Sequence, residues 1–188
     1  GNLIRKGVIT GERKTIYKGR HIGAFVIGDD ALYEDMNTNP AYMIAPGQIT
    51  NDPFVIAQND NMVSINTALE IDLTGQICSE SIGSRMYSGT GGATDFAYGA
   101  LHSKGGRGII AISSTAKKGT MTKIKPQLTP GAVVTISRNL ADTIITEYGV
   151  AYMKGRTIPE RAKALIQIAH PDFRDELTFE ARKLGLIL

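Results

Sequence analysis

A single cysteine, Cys78, rules out an internal disulfide, and the three histidines have no ligand partners at metal-binding spacing, so no metal site is expected. No stretch approaches the apolar length of a signal-peptide core or a membrane span, which argues against a membrane partner and for a reduced, cytoplasmic setting. The surplus of positive charge is only +3, and the denser basic patches, Lys104 to Arg107 and Lys117 to Lys125, are short and not interleaved with aromatics. Nucleic acid is therefore not an expected partner. The chain also lacks an internal repeat and a low-complexity linker, so its 188 residues, 42% of them hydrophobic, read as one domain over residues 1–188.

What is present is an alternation of short strands and helices. From Val63, apolar Ile65, Leu69, Ile71 and Leu73 alternate with polar Ser64, Asn66, Glu70 and Asp72, the period of a half-buried strand. Thr74-Gly75 then predicts a turn, with "QICSES" pairing back as a hairpin. On this reading Glu70 and Glu80 lie on the solvated face. The compact apolar runs "GIIAIS" and "AVVTIS" read as strands buried on both faces. In "TIPERAKALIQIAH", Thr157 and Glu160 form a capping-box pattern, Pro159 sits in the tolerant first turn, and Ile158, Ala162, Leu165 and Ala169 share a face. A further helix, "DFRDELTFEARKLG", follows Pro171. The class is α/β.

The stretch "YSGTGGATDFAYGALHSKGG" places Gly89, Gly91 and Gly92 where a helix begins, since Ala93, Phe96, Ala97, Ala100 and Leu101 follow its apolar period. The first amides of such a helix have no internal partner and can bind an anion. Thr94 stands where a dinucleotide fingerprint needs a glycine, and Asp95 already occupies the positive helix end, so a phosphate is disfavoured. A tight turn and a backbone oxyanion site both remain open. In "TNDP", Asn51 and Asp52 before Pro53 read as a turn or helix start. Glu147, between "TII" and a Tyr-Gly turn, falls at a strand end, as a site residue or as a plain structural hydrogen bond. His21, His102 and His170 read as structural.

The motifs "NDPFVIAQNDNMVSINTALEIDLTGQICSESIG", "SGTGGATDFAYGA", "GGRGIIAISSTAKKGT" and "TEYGVAYMKGRTIPERAKALIQIAHPDFRDEL" occur in that order. Together they resemble the C-terminal domain of the acetyl-CoA hydrolase/transferase family, in its 4-hydroxybutyrate or butyrate CoA-transferase branch, from about Gly7 onward. The resemblance implies an α/β, CoA-transferase-like C-terminal domain with a mixed sheet flanked by helices. It implies a glutamate carboxylate that attacks an acyl-CoA, forming a mixed anhydride and then a glutamyl-CoA thioester. Gly89, Gly91 and Gly92 correspond to the loop that would hold the oxyanion. Asn51 would face the thiol end of coenzyme A, and Glu147 would orient groups around the site. Lys117 and Lys118, after "ISST", are candidates for the phosphates of coenzyme A.

The nucleophile of that family lies in a histidine, serine or threonine, glutamate, methionine type of segment just upstream of the stretch that "KGVITGERKT" resembles. This chain starts at Gly1-Asn2-Leu3 without it. The expectation is a C-terminal half whose nucleophile segment and N-terminal domain are absent. Its partners would be that domain, coenzyme A and short-chain carboxylic acids, in a homo-oligomer. Coenzyme A and acyl-CoA would be substrates, with no tightly bound cofactor. Acyl-CoA hydrolysis, or a CoA-binding or dimerisation module without turnover, are the alternatives.

Overall fold

Short strands paired in both senses set the architecture, described over residues 1–188 by a computed structural model. The chain runs through α1 (Asn2–Arg5), β1 (His21–Gly23), α2 (Asp30–Thr38), β2 (Tyr42–Ile44), α3 (Gly47–Thr50), α4 (Pro53–Ala57), β3 (Val63–Asn66), β4 (Glu70–Asp72) and β5 (Ile77–Cys78). It continues with β6 (Ser81–Ile82), β7 (Arg85–Met86), α5 (Ala93–His102), β8 (Arg107–Ala111), β9 (Thr115–Ala116), β10 (Met121–Thr122), β11 (Ile124–Lys125), β12 (Thr143–Thr146), β13 (Gly149–Tyr152), α6 (Ile158–Ile168) and α7 (Pro171–Lys183). The main sheet is four-stranded in the order β13-β12-β8-β3. β3, β8 and β12 are parallel, and β13 returns antiparallel on β12. A second sheet, β11-β4-β5, mixes both senses, so the α/β class with a mixed sheet holds. No helix is long and apolar enough to cross a membrane.

The strand register separates the faces of the main sheet, because paired residues point the same way. Ser64 faces Gly108, and Asn66, Ile110, Ile144 and Ala151 form the next row. On that face α5 packs across β8 and β3, and α6 packs across β13 and β12. Ser64 is 4% exposed there and Ile144 0%. The opposite face presents Val63, Ile65, Val150 and Tyr152 at 51%, 67%, 47% and 56% exposure. Between them Thr143 is buried and Ile109 and Ile145 are half-buried, so that face is open chiefly at its two edge strands.

Several strand expectations are corrected. The alternating run from Val63 to Leu73 is not one strand. It divides into β3 and β4, which belong to different sheets. In β3 the apolar residues point outward and Ser64 inward, because the helix-covered face takes the small side chains. The hairpin is present as β4 and β5, with Gly75 at φ +92 in its turn. Every residue of β4 is buried, however, including the acids assigned to solvent. Glu70 lies inside because Thr129 satisfies both carboxylate oxygens, through its amide at 2.7 Å and its hydroxyl at 2.7 Å. Glu80 is buried as well. "GIIAIS" yields β8, which is buried at Ile110 and open at Arg107 and Ala111. "AVVTIS" forms no strand: after Gly131 at φ +84 it makes a single bridge, Ile136 to Ile77.

The helices follow their local signals. At the start of α6 Glu160 accepts from the Thr157 amide at 2.8 Å and hydroxyl at 2.9 Å, and Ala162 and Leu165 are fully buried. Pro171 takes the tolerant first position of α7, where His170 Nδ1 accepts from the Asp172 amide. Asp52 caps α4 by accepting from the Phe54 amide at 2.8 Å. α4 lies against α5, and the contact is close because a Cβ on Gly99 would stand 2.5 Å from Ile56. That contact fixes the two helix N-termini relative to each other.

Candidate functional site

Asn51 ends α3 and immediately precedes the Asp52 cap of α4. Its Oδ1 accepts a hydrogen bond from the Thr50 hydroxyl at 2.8 Å. With the hydroxyl as donor, the Asn51 Nδ2 hydrogens are left as donors for other groups. A Cβ placed on Gly92 would land on Asn51 Nδ2. The glycine at the start of α5 and the asparagine amide therefore meet side by side, although they are far apart in sequence.

Gly92 is the N-cap of α5 at φ −83, with no side chain bonding the helix end. The amides from Gly89 to Asp95 donate to nothing within the chain. Unpaired amides at a helix N-terminus, next to a side-chain amide donor, suit a small developing negative charge. Thr94 holds the helix start in place by donating its hydroxyl to the Thr135 carbonyl at 2.5 Å. Gly89 and Gly91 differ from Gly92: added Cβ atoms there would meet nothing within 4 Å, and neither has positive φ.

Asn51, Gly92 and Phe96 line an open cleft of about 1600 Å³, whose far wall is the segment before α3. Arg13, Lys14 and Arg20 face the same cleft, where Asp60 is the carboxylate. None of these cations is in an ion pair. Lys14 donates to the Arg20 carbonyl at 3.1 Å, and burial pushes its ammonium below the usual lysine value. The segment is tied to the body of the domain: Asn59 Oδ1 accepts from the Thr15 and Ile16 amides, and Thr15 Oγ1 accepts from the Asp60 amide. Gly1 lines the same cleft. The charge density of "ERKTIYKGR" is the signal in the sequence for this cluster, whereas the expected phosphate contacts are Lys117 and Lys118.

Glu147, Lys117 and Lys118 are not among the residues of the cleft. Lys117 and Lys118 are exposed and hold φ of 49 and 57 in the turn between β9 and β10. Glu147 follows β12 and accepts from Ser114, at 2.9 Å from its amide and 2.6 Å from its hydroxyl. Burial pushes the Glu147 carboxyl up, but the Ser114 hydroxyl, the backbone amides and nearby His170 outweigh it, holding the group below its ordinary value. Glu147 therefore fastens the loop after β8 to the end of β12. Its depressed folded value means that its stabilising contribution is present above the unfolded value, near pH 4.3, and is lost as pH falls through the folded value below it. Melting curves of the wild type and Glu147→Gln should differ at neutral pH and converge as the pH drops below about 4.

No group of three His, Cys, Asp or Glu side chains is arranged to hold a metal ion. Residues 28–181 match the model of the acetyl-CoA hydrolase/transferase C-terminal domain. The chain belongs to that family. It is 50% identical over 181 residues to the 4-hydroxybutyrate coenzyme A transferase of Clostridium kluyveri, covering 96% of this chain and 42% of that protein. It is 46% identical to the butyryl-CoA:acetate CoA-transferase of Anaerostipes caccae, covering 97% of this chain and 42% of the relative. The crystal structure of RipA from Yersinia pestis superposes with a TM-score of 0.93 at 49% identity, over 99% of this chain and 42% of that one. A citrate lyase alpha subunit structure from Streptococcus mutans, at 14% identity and a TM-score of 0.58, shares the fold alone. This member of the acetyl-CoA hydrolase/transferase family thus spans less than half the length of these relatives.

Proposed function

We propose that this domain is the C-terminal part of a CoA-transferase that moves coenzyme A from an acyl-CoA to acetate or another short carboxylic acid, of the 4-hydroxybutyrate or butyrate type. The observation that carries the reading is the free Nδ2 of Asn51 set against Gly92 at the unpaired N-terminus of α5. A glutamate carboxylate from the segment preceding Gly1 attacks the thioester carbonyl. The C–S bond breaks, the thiolate leaves, and an acyl-glutamyl anhydride remains. The thiolate then attacks the glutamyl carbonyl of the anhydride, releasing the first carboxylate and leaving a glutamyl-CoA thioester. An acceptor carboxylate runs the same steps in reverse. Each tetrahedral intermediate carries an oxyanion that takes hydrogen bonds from Asn51 Nδ2 and the Gly92 amide.

Gly1 is itself among the residues that line this cleft, which supports the arrival of that glutamate here. Arg13, Lys14 and Arg20 supply the positive charge for the phosphates of coenzyme A, which enters as substrate and not as a resident cofactor. Lys117 and Lys118 lie outside that cleft, so they have no part in this proposal.

The test uses the full-length protein with an acyl-CoA and a series of carboxylates. Parallel double-reciprocal plots, together with protein mass increased by coenzyme A less one water after incubation with acyl-CoA alone, are the expected results. Sequential kinetics with no adduct would reject the relay. Release of coenzyme A to water at a rate that outruns transfer would identify a hydrolase, and binding without turnover a CoA-binding module.

A further inference from the structure

Three acids of one stretch, Glu70, Asp72 and Glu80, are buried, at 8%, 2% and 7% exposure. Glu70 has both oxygens bonded by Thr129. Asp72 accepts from the Thr74 amide and hydroxyl, the Gln76 amide and the Gln76 side chain. Glu80 differs from both: its Oε2 is the one buried side-chain oxygen or nitrogen in the protein without a partner. Leaving a buried acceptor unbonded is costly, and more so for a charged group, so Glu80 Oε2 is placed to accept a hydrogen bond.

The backbone of Glu80 leads to a set of free donors. The Glu80 carbonyl accepts from the Tyr87 amide at 2.7 Å and the Ser88 amide at 3.2 Å, so the returning arm of the β6–β7 hairpin is pinned to Glu80 itself. The glycine loop starts at the next residue, with exposed Gly89 and Gly91 and a run of amides that donate to nothing. Glu80, whose side chain holds a buried acceptor without a donor, is thus bonded through its backbone to the residues that lead into a loop of donors without acceptors.

We propose that Glu80 is a positioning residue for the glycine loop: its free carboxylate oxygen receives an amide from the Gly89 to Gly92 stretch, directly or through one ordered water, when coenzyme A occupies the cleft. The bond ties down the loop and aims the Gly92 amide at the thioester. The proposal rests on the CoA-transfer reading, but its test separates the two. In the full-length protein, Glu80→Met fills the same space without an acceptor, whereas Glu80→Gln keeps one carbonyl oxygen.

Glu80→Met should lower kcat about tenfold with KM for the acyl-CoA little changed, because orientation and not binding is lost. Glu80→Gln should stay within about twofold of the wild type, since one acceptor suffices for one amide. Hydrogen exchange with coenzyme A as the probe gives the direct readout: added coenzyme A should protect the Gly89 to Gly92 amides in the wild type and in Glu80→Gln, and leave them unprotected in Glu80→Met. A Glu80→Met enzyme with wild-type kcat and intact protection overturns the proposal. A shift in melting temperature alone, with both other readouts unchanged, overturns it too, because Glu80 would then serve packing only. Failure of the wild type to transfer coenzyme A would count against the proposed function instead, and the exchange comparison would still decide the role of Glu80.

Discussion

Gly92→Ala in the full-length enzyme should lower kcat on the order of 10²- to 10³-fold, the usual loss when one oxyanion donor is displaced. The cause is steric and local. The new Cβ would occupy the place of Asn51 Nδ2, so the asparagine amide or the loop has to move, and the paired donors no longer converge on one oxygen. φ at Gly92 is −83, so backbone strain plays no part and the loss falls on the alignment of the site. Gly89→Ala and Gly91→Ala serve as controls, because open space surrounds both positions and neither needs positive φ. Steady-state kinetics on the three variants, with a coenzyme A titration on each, check this. A Gly92→Ala variant with unchanged kcat and weakened coenzyme A binding would show that the loop cradles a phosphate.

Asn51→Ala should cost about 10² in kcat, because it removes the other donor and leaves a gap beside Gly92. Weaker coenzyme A binding should accompany it if, as proposed, the same amide meets the thiol end of the substrate. The fold should persist: the cap of α4 belongs to Asp52, and Asn51 bonds only Thr50 through its side chain. Thr50→Val gives a finer measure, since without the hydroxyl the Asn51 amide is free to turn its oxygen toward the oxyanion. Kinetics and a thermal melt on Asn51→Ala settle the matter: a lowered melting temperature with unchanged turnover would reduce Asn51 to a turn residue.

The parts of the fold legible in the sequence are those whose determinants lie close together along the chain. Glu160 and Thr157 reveal α6, Gly92 and the apolar period after it reveal α5, and Asp52-Pro53 reveals the start of α4. The misread parts depend on distant residues. Glu70 patterns as solvated until Thr129 is folded onto it, and Val63 and Ile65 pattern as buried until α5 is seen to cover the face of Ser64. "AVVTIS" has the composition of a strand, yet Ile77 is its one bridged neighbour. For the site, spacing alone left the glycines undecided between a turn and an oxyanion loop. The family resemblance pointed to Asn51, and the packing of α4 on α5 through Gly99 and Ile56 brings it to Gly92. Glu147 needed Ser114, whose buried hydroxyl no local pattern announces.

The open edges of the main sheet's second face govern how these 188 residues behave when produced by themselves. Val63 and Ile65 on β3 and Val150 and Tyr152 on β13 are apolar and open to water at the two edges, and β3 has no neighbour beyond it. Both features invite association, the first by burying apolar area and the second by adding strands. Handling the isolated domain is therefore a colloidal problem before it is an enzymological one. Polar substitutions at Ile65 and Val150, which project away from the helices and are not among the residues of the cleft, are the places to improve its solubility.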